Sequence, residues 1–103
     1  MQISSGWAKG MRLMTPRGDG TRPTAAKVRA AALNMLMPVL PGSRFLDLFA
    51  GSGGMGLEAV SRGASAAFFV DKAPPALAAL RQNVAELTRR AQAQGLTVPH
   101  LSV

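Results

Sequence analysis

The chain contains no cysteine and no tyrosine, and only one histidine and one tryptophan in 103 residues. Without cysteine there is no disulfide scaffold, no thiolate nucleophile and no Cys-ligated zinc or iron–sulfur centre. A single histidine, His100, cannot build a multi-histidine metal site. No apolar run reaches the about 18 residues of a membrane-spanning helix. The N-terminus lacks the apolar stretch of a secretory signal. These absences exclude a metal centre and a membrane partner and leave a cytoplasmic setting as the expectation. Acidic residues are also scarce, five against twelve Lys and Arg, for a net charge of +7. The imbalance is local. Residues 1–44 carry Lys9, Arg12, Arg17, Arg22, Lys27, Arg29 and Arg44 against Asp19 alone, whereas the remainder is nearly balanced. A front-loaded basic surplus points to a polyanion, nucleic acid first, over a merely solvated basic face.

What is present is globular in composition, with 48% hydrophobic and 17% charged residues, enough for one small domain. Glycines at 6, 10, 18 and 20 punctuate a basic opening segment too broken for a helix. Within it, Met11 to Thr15 reads as one arm of a hairpin, with Met11 and Leu13 on one face and Arg12 and Met14 on the other. Thr24 is a suitable N-cap for a helix to residue 37. Val28, Ala32, Met35 and Leu36 form its expected apolar stripe, with Lys27 and Arg29 off it. Met35 and Met37 are expected in the core. Pro38 and Pro41-Gly42 close the helix.

From residue 44 the pattern becomes strand, helix, strand, helix, strand, which implies a parallel sheet with right-handed crossovers. Arg44 to Phe49 reads as a strand buried on both faces. A glycine-rich turn and a helix ending at Gly63 follow. Ala66 to Val70 is the second strand, with Phe68 and Phe69 as core. Pro74-Pro75 opens a helix whose buried face is Leu77, Leu80, Val84 and Leu87, ending at Gly95. A third strand lies within Leu96 to Val103.

The chemistry concentrates at Gly51-x-Gly53-x-x-Gly56, between the first strand and its helix, with Asp71 at the end of the next strand. Glycines permit a tight turn and close approach of a ligand, and the helix N-terminus offers unpaired N–H groups. A carboxylate at the second strand's end can accept hydrogen bonds from ribose hydroxyls. Asp47 interrupts the first strand, where a dinucleotide site is normally apolar. A carboxylate there needs partners. Either a cationic ligand such as S-adenosylmethionine supplies them, which disfavours NAD, or local backbone N–H groups do.

The run Phe45 to Gly53 resembles motif I of Rossmann-like methyltransferases. Gly18-Asp19-Gly20-Thr21-Arg22-Pro23-Thr24 with Val28-Arg29, preceded by Ile3-x-Ser5-Gly6 and Lys9-Gly10-x-Arg12-Leu13-x-Thr15-Pro16, resembles the bacterial RsmD family across nearly the whole chain. That resemblance implies an α/β, Rossmann-like S-adenosylmethionine-dependent methyltransferase fold, with a parallel sheet truncated after about the third strand. It implies methyl transfer to the exocyclic N2 of a guanine in 16S ribosomal RNA, free or in small-subunit assemblies. It assigns residues 1–20 to a basic RNA-contacting hairpin, with Lys9, Arg12 and Arg17 on phosphate. Trp7 either stacks on a base or packs on its own domain. Residues 21–43 become a helix and linker closing over the cofactor, with Thr21, Arg22 and Thr24 at its methionine end. Residues 44–103 become an incomplete cofactor domain, in which Asp47, Ala50, Gly51, Gly53, Asp71 and Lys72 bind the cofactor. Phe49 either borders the cofactor or fills the sheet. His100 is expected to be a bystander.

The sequence also departs from the family. Its catalytic Asn/Asp-Pro-Pro-Tyr/Phe motif is absent, so no catalytic residue is assigned. Ala30 to Leu33 replace a bulkier run, and Met11 stands where a second arginine is common. The sequence thus reads as the N-terminal part of such an enzyme, or else as a non-catalytic RNA-binding remnant. An incomplete parallel sheet would expose an edge and favour self-association.

Overall fold

The computed structural model describes residues 1–15 and 26–103. The element order is α1 (Ala26–Leu36), β1 (Arg44–Asp47), α2 (Gly54–Ser61), β2 (Ala66–Phe69), α3 (Pro74–Ala93) and β3 (His100–Ser102). The three strands form one parallel sheet in the order β1-β2-β3, with Arg44 opposite Ala66 and Ala66 opposite His100. Each strand returns through a helix, and right-handed crossovers running in one direction place α2 and α3 on the same face. Gly63 and Gly95 follow the ends of α2 and α3, and Pro74-Pro75 open α3, as their positions in the sequence lead one to expect. Among the described residues, no helix is long and apolar enough to cross a membrane.

The core lies between that sheet face and the helices. Phe69 and Ala67 of β2 meet Leu57 and Val60 of α2 and Leu80 and Leu87 of α3. Each fully buried Leu contributes on the order of 1.5–3 kcal/mol. The N-terminal residues join this core. Ile3 N–H donates to Met11 O (2.9 Å), and Gln2 bridges Arg12 in antiparallel sense. Met11 and Leu13 are buried while Arg12 and Met14 are exposed, the alternation read from the sequence. Ser61, at the end of α2, fixes the hairpin's far end. Its carbonyl accepts the Trp7 N–H, and its hydroxyl donates to Ser5 O and accepts the Ala8 N–H.

Three expectations are corrected. First, β1 is not buried on both faces. Among the described residues it pairs with β2 alone, and Leu46 (59% exposed) and Leu48 face outward. Both crossover helices cover the opposite face, so the outer one carries no second layer among the described residues. Phe49 is 91% exposed and fills no part of the sheet. Phe68 is only half-buried, its ring 5.5 Å from that of His100, whereas Phe69 is core.

Second, the buried face of α1 is not Val28, Ala32, Met35 and Leu36. Val28 (60%) and Met35 (82%) are exposed, as are Leu36 and Met37, and Arg29 and Leu33 point inward. The reason is Glu58 of α2, wholly buried, whose carboxylate lies 3.4 Å from Arg29 Nε and 3.1 Å from Arg62 Nε. Ser4 completes its shell, donating its N–H at 2.8 Å and its hydroxyl at 2.9 Å. A buried carboxylate needs such partners, and that need outweighs the packing of a few aliphatic side chains.

Third, Leu77 and Val84 of α3 are only half-buried. The inward face instead combines Leu80 and Leu87 with small alanines and the polar Asn83.

Candidate functional site

The site forms where β1 and β2 end. After Asp47 the chain stays tied to β2, with Val70 N–H donating to Asp47 O (2.9 Å) and Ala50 N–H to Val70 O (3.0 Å). Gly53 N–H then closes a turn on Ala50 O at 2.8 Å, and α2 begins. Gly53 adopts φ +92°, and a Cβ there would stand 2.5 Å from Leu80 Cδ1, so both conformation and space demand glycine. At Gly56 a Cβ would intrude on the Phe69 ring, so glycine lets α2 lie close on the sheet. Gly51 is different, since a Cβ there would meet nothing within 4 Å. The loop is open to a ligand at that point.

Asp71 borders this opening from the end of β2. Its Oδ2 accepts the Gly51 N–H and its Oδ1 the Ala73 N–H, both at 2.9 Å. The Ala73 and Gly51 N–H groups, with smaller help from Lys72, hold the carboxyl below the usual carboxylate range. Each oxygen keeps a further lone pair. The carboxylate is only half-buried, so it can still accept hydroxyl donors from a ligand.

Asp47 behaves oppositely. Burial pushes its carboxyl up, the Gly56 and Phe49 N–H groups partly offset this, and the nearby Asp71 charge adds to the rise. Those N–H groups do not fully offset the burial, so the choice the sequence left between a cationic ligand and local backbone N–H groups stays open. Ala50 is buried beneath the loop, and Lys72 is exposed beside Asp71. The structure thus brings Asp47, Ala50, Gly51, Gly53, Asp71 and Lys72 to one end of the sheet. Thr21, Arg22, Thr24 and Arg17 lie outside the described residues.

The proposed RNA-contacting residues lie on the hairpin. Lys9 and Arg12 are exposed, and among the described residues no carboxylate lies within 4 Å of either. Trp7 sits at the opposite end of α2 from the glycine loop. Its indole N–H donates to Val60 O at 3.0 Å, and its ring lines a cavity of about 290 Å³ with Leu96 and Pro99. The indole is packed on its own domain.

Reading the sequence missed Asn83, which joins the glycine loop to the hairpin. Its Nδ2 donates to Ser52 O (2.8 Å) and Met14 O (3.0 Å), and its Oδ1 accepts the Met14 N–H (2.7 Å). A signal existed, because Asn83 stands three residues after Leu80 and four before Leu87, on the face those leucines bury.

Residues 1–100 match the family model described as conserved hypothetical protein 95. Ribosomal RNA small subunit methyltransferase D of Escherichia coli K12 is 39% identical over 87 residues, covering 84% of this chain and 44% of the relative. YlbH of Bacillus subtilis is 46% identical over 94 residues, covering 89% and 51%. Among solved structures, yhhF of Escherichia coli aligns with TM-score 0.79 at 35% identity, over all of this chain and 51% of that one. A hypothetical protein of Thermus thermophilus aligns with TM-score 0.73 at 38% identity, over all of this chain and 55% of that one. The chain spans about half the length of the curated relatives it matches.

Proposed function

Because this chain belongs to the RsmD family, which includes ribosomal RNA small subunit methyltransferase D, we propose that it holds the cofactor and contacts RNA in a guanine-N2 methyl transfer on 16S ribosomal RNA. Its sheet and crossover helices are the α/β, Rossmann-like methyltransferase fold of that family. S-adenosylmethionine, when bound, supplies a methyl group activated by its sulfonium. The observation that carries the reading is the Asp71 carboxylate beside the open face of Gly51.

In this reading Asp71 accepts the ribose hydroxyls while keeping the Gly51 and Ala73 N–H groups, so one carboxylate shapes the loop and holds the nucleoside. Asp47 places negative charge under the loop, where a ligand ammonium would neutralise it. Lys72 flanks the adenine. By the family resemblance, Thr21, Arg22 and Thr24 meet the methionine end. Lys9, Arg12 and Arg17 neutralise RNA phosphates, which makes affinity fall with salt by a log–log slope of about 0.7 per contact on single strands. A ribosomal RNA substrate places the protein in the cytoplasm.

Calorimetric titration with S-adenosylhomocysteine tests this reading. Saturable binding that is lost in Asp71→Ala supports the cofactor site. A folded chain that does not bind S-adenosylhomocysteine overturns it.

A further inference from the structure

Asn83 is almost wholly buried (1% exposed), and it spends its amide entirely on backbone groups of two separate segments. One is Met14, on the hairpin that carries the exposed Lys9 and Arg12. The other is Ser52, itself buried, at the centre of the glycine loop. The amide orientation is fixed by its partners. A flipped amide would set its NH₂ against the Met14 N–H and its oxygen against two carbonyls.

Two further facts tie the three elements together. Leu80, one turn before Asn83, packs on Gly53, the next residue but one after Gly51. Asp71, which the proposed function assigns to the nucleoside, bonds Gly51 directly. A ligand that orders Gly51 therefore orders the loop whose Ser52 carbonyl Asn83 holds.

Resting on that cofactor reading, we propose that Asn83 is a positioning residue that registers the basic hairpin on the cofactor loop and so links cofactor binding to RNA binding. The Ser52 carbonyl cannot move away without leaving an amide N–H of Asn83, a residue only 1% exposed, without its partner. The loop and Met14 consequently shift or settle together. Ordering one segment lowers the cost of ordering the other, which makes the linkage positive. Linkage is reciprocal, so each ligand tightens the other by the same factor.

The test titrates the full chain with S-adenosylhomocysteine, alone and with a saturating, short, guanine-containing single-stranded RNA. Wild type is expected to bind S-adenosylhomocysteine about fivefold or more tightly with RNA present, the lower bound of ordinary coupling between sites. Asn83→Ala and Asn83→Asp are expected to bring that ratio to about one. A merely structural role would lower thermal stability and both affinities yet leave the ratio intact, so the ratio is the deciding quantity.

Hydrogen exchange on wild type gives a second measurement that needs no variant. Protection of the Met14 amide is expected to rise on adding S-adenosylhomocysteine. A ratio of one in wild type, a ratio retained in folded Asn83→Ala, or Met14 exchange indifferent to S-adenosylhomocysteine each overturns the proposal. Failure of wild type to bind S-adenosylhomocysteine at all overturns the cofactor reading itself, and it shows in the first titration, before Asn83 is altered.

Discussion

Replacing Glu58 by alanine removes the one negative charge between two arginines. Glu58 is wholly buried, Arg29 is 1% exposed, and the side chain of Arg62 is 5% exposed. Alanine would leave Arg29 as a buried cation with, among the described residues, a single hydrogen bond, from Nη2 to Gln2 O, because its Nε and Nη1 find no hydrogen-bond partner there. It would also strip the acceptor from the Ser4 N–H and hydroxyl. Removing one partner of a buried pair costs about 3–5 kcal/mol. A domain of this size has a total stability of roughly 5–15 kcal/mol, so Glu58→Ala is expected to cut stability by roughly a fifth or more.

Urea unfolding followed by circular dichroism measures the loss. Arg29→Met in the Glu58→Ala background should recover part of it, because the unpaired buried charge is then gone. The penalty should also persist in molar salt, which screens exposed pairs but not buried ones. A loss below about 1 kcal/mol, the range of exposed ion pairs, would refute the argument that this triad holds α1 and the hairpin on α2.

Acid should loosen the glycine loop. The Asp71 carboxyl is depressed in the fold, so its contribution is fully present above its unfolded value near 3.8 and is lost as pH falls through the lower folded value. Amide exchange at Gly51 should therefore accelerate only below that range in wild type, and Asp71→Asn should abolish the pH dependence. Gly53→Ala forces a side chain into φ +92° and against Leu80, at a cost of about 1–3 kcal/mol. Its thermal midpoint should fall by roughly 4–8 °C for each kcal/mol. The edge of β1 that no strand pairs among the described residues, flanked by exposed Leu46, Leu48 and Phe49, should drive concentration-dependent association. Light scattering that reports a monomer at all concentrations would contradict this.

The α/β topology was legible because its signals are local. Gly51, Gly53 and Gly56 mark a turn whose spacing says strand before and helix after, and Asp71 falls where the next strand must end. The same is true of the hairpin, where Met11 and Leu13 alternate with Arg12 and Met14. What failed depended on partners distant in sequence. Nothing near Arg29 announces Glu58, so the aliphatic Val28 and Met35 looked like the better inward face. The two-sided burial expected of Arg44 to Phe49 holds only when both sheet faces carry a layer, and among the described residues the outer face of Leu46 and Leu48 carries none. At the site, Asp71 met its expected loop, whereas Asn83 hid in a helix read only for its leucines.

The hairpin's first arm runs along α2 from end to end. Met1 Cε lies 3.8 Å from where a Cβ of Gly54 would stand, Ser4 binds Glu58, and Ser5 binds Ser61. An eight-residue helix is about 12 Å long, close to the roughly 10 Å that the extended return from Met11 to Met14 covers before reaching Asn83. The helix thus acts as a ruler and the hairpin as a strut cut to its length. Because both ends are pinned, a one-residue insertion or deletion within an arm cannot be absorbed as slack, and must either tear the Ser61 knot or slide Met14 off Asn83. Length, more than side-chain identity, is the property of this segment that the fold polices. It sets how far from the glycine loop Lys9 and Arg12 can ever present their charge.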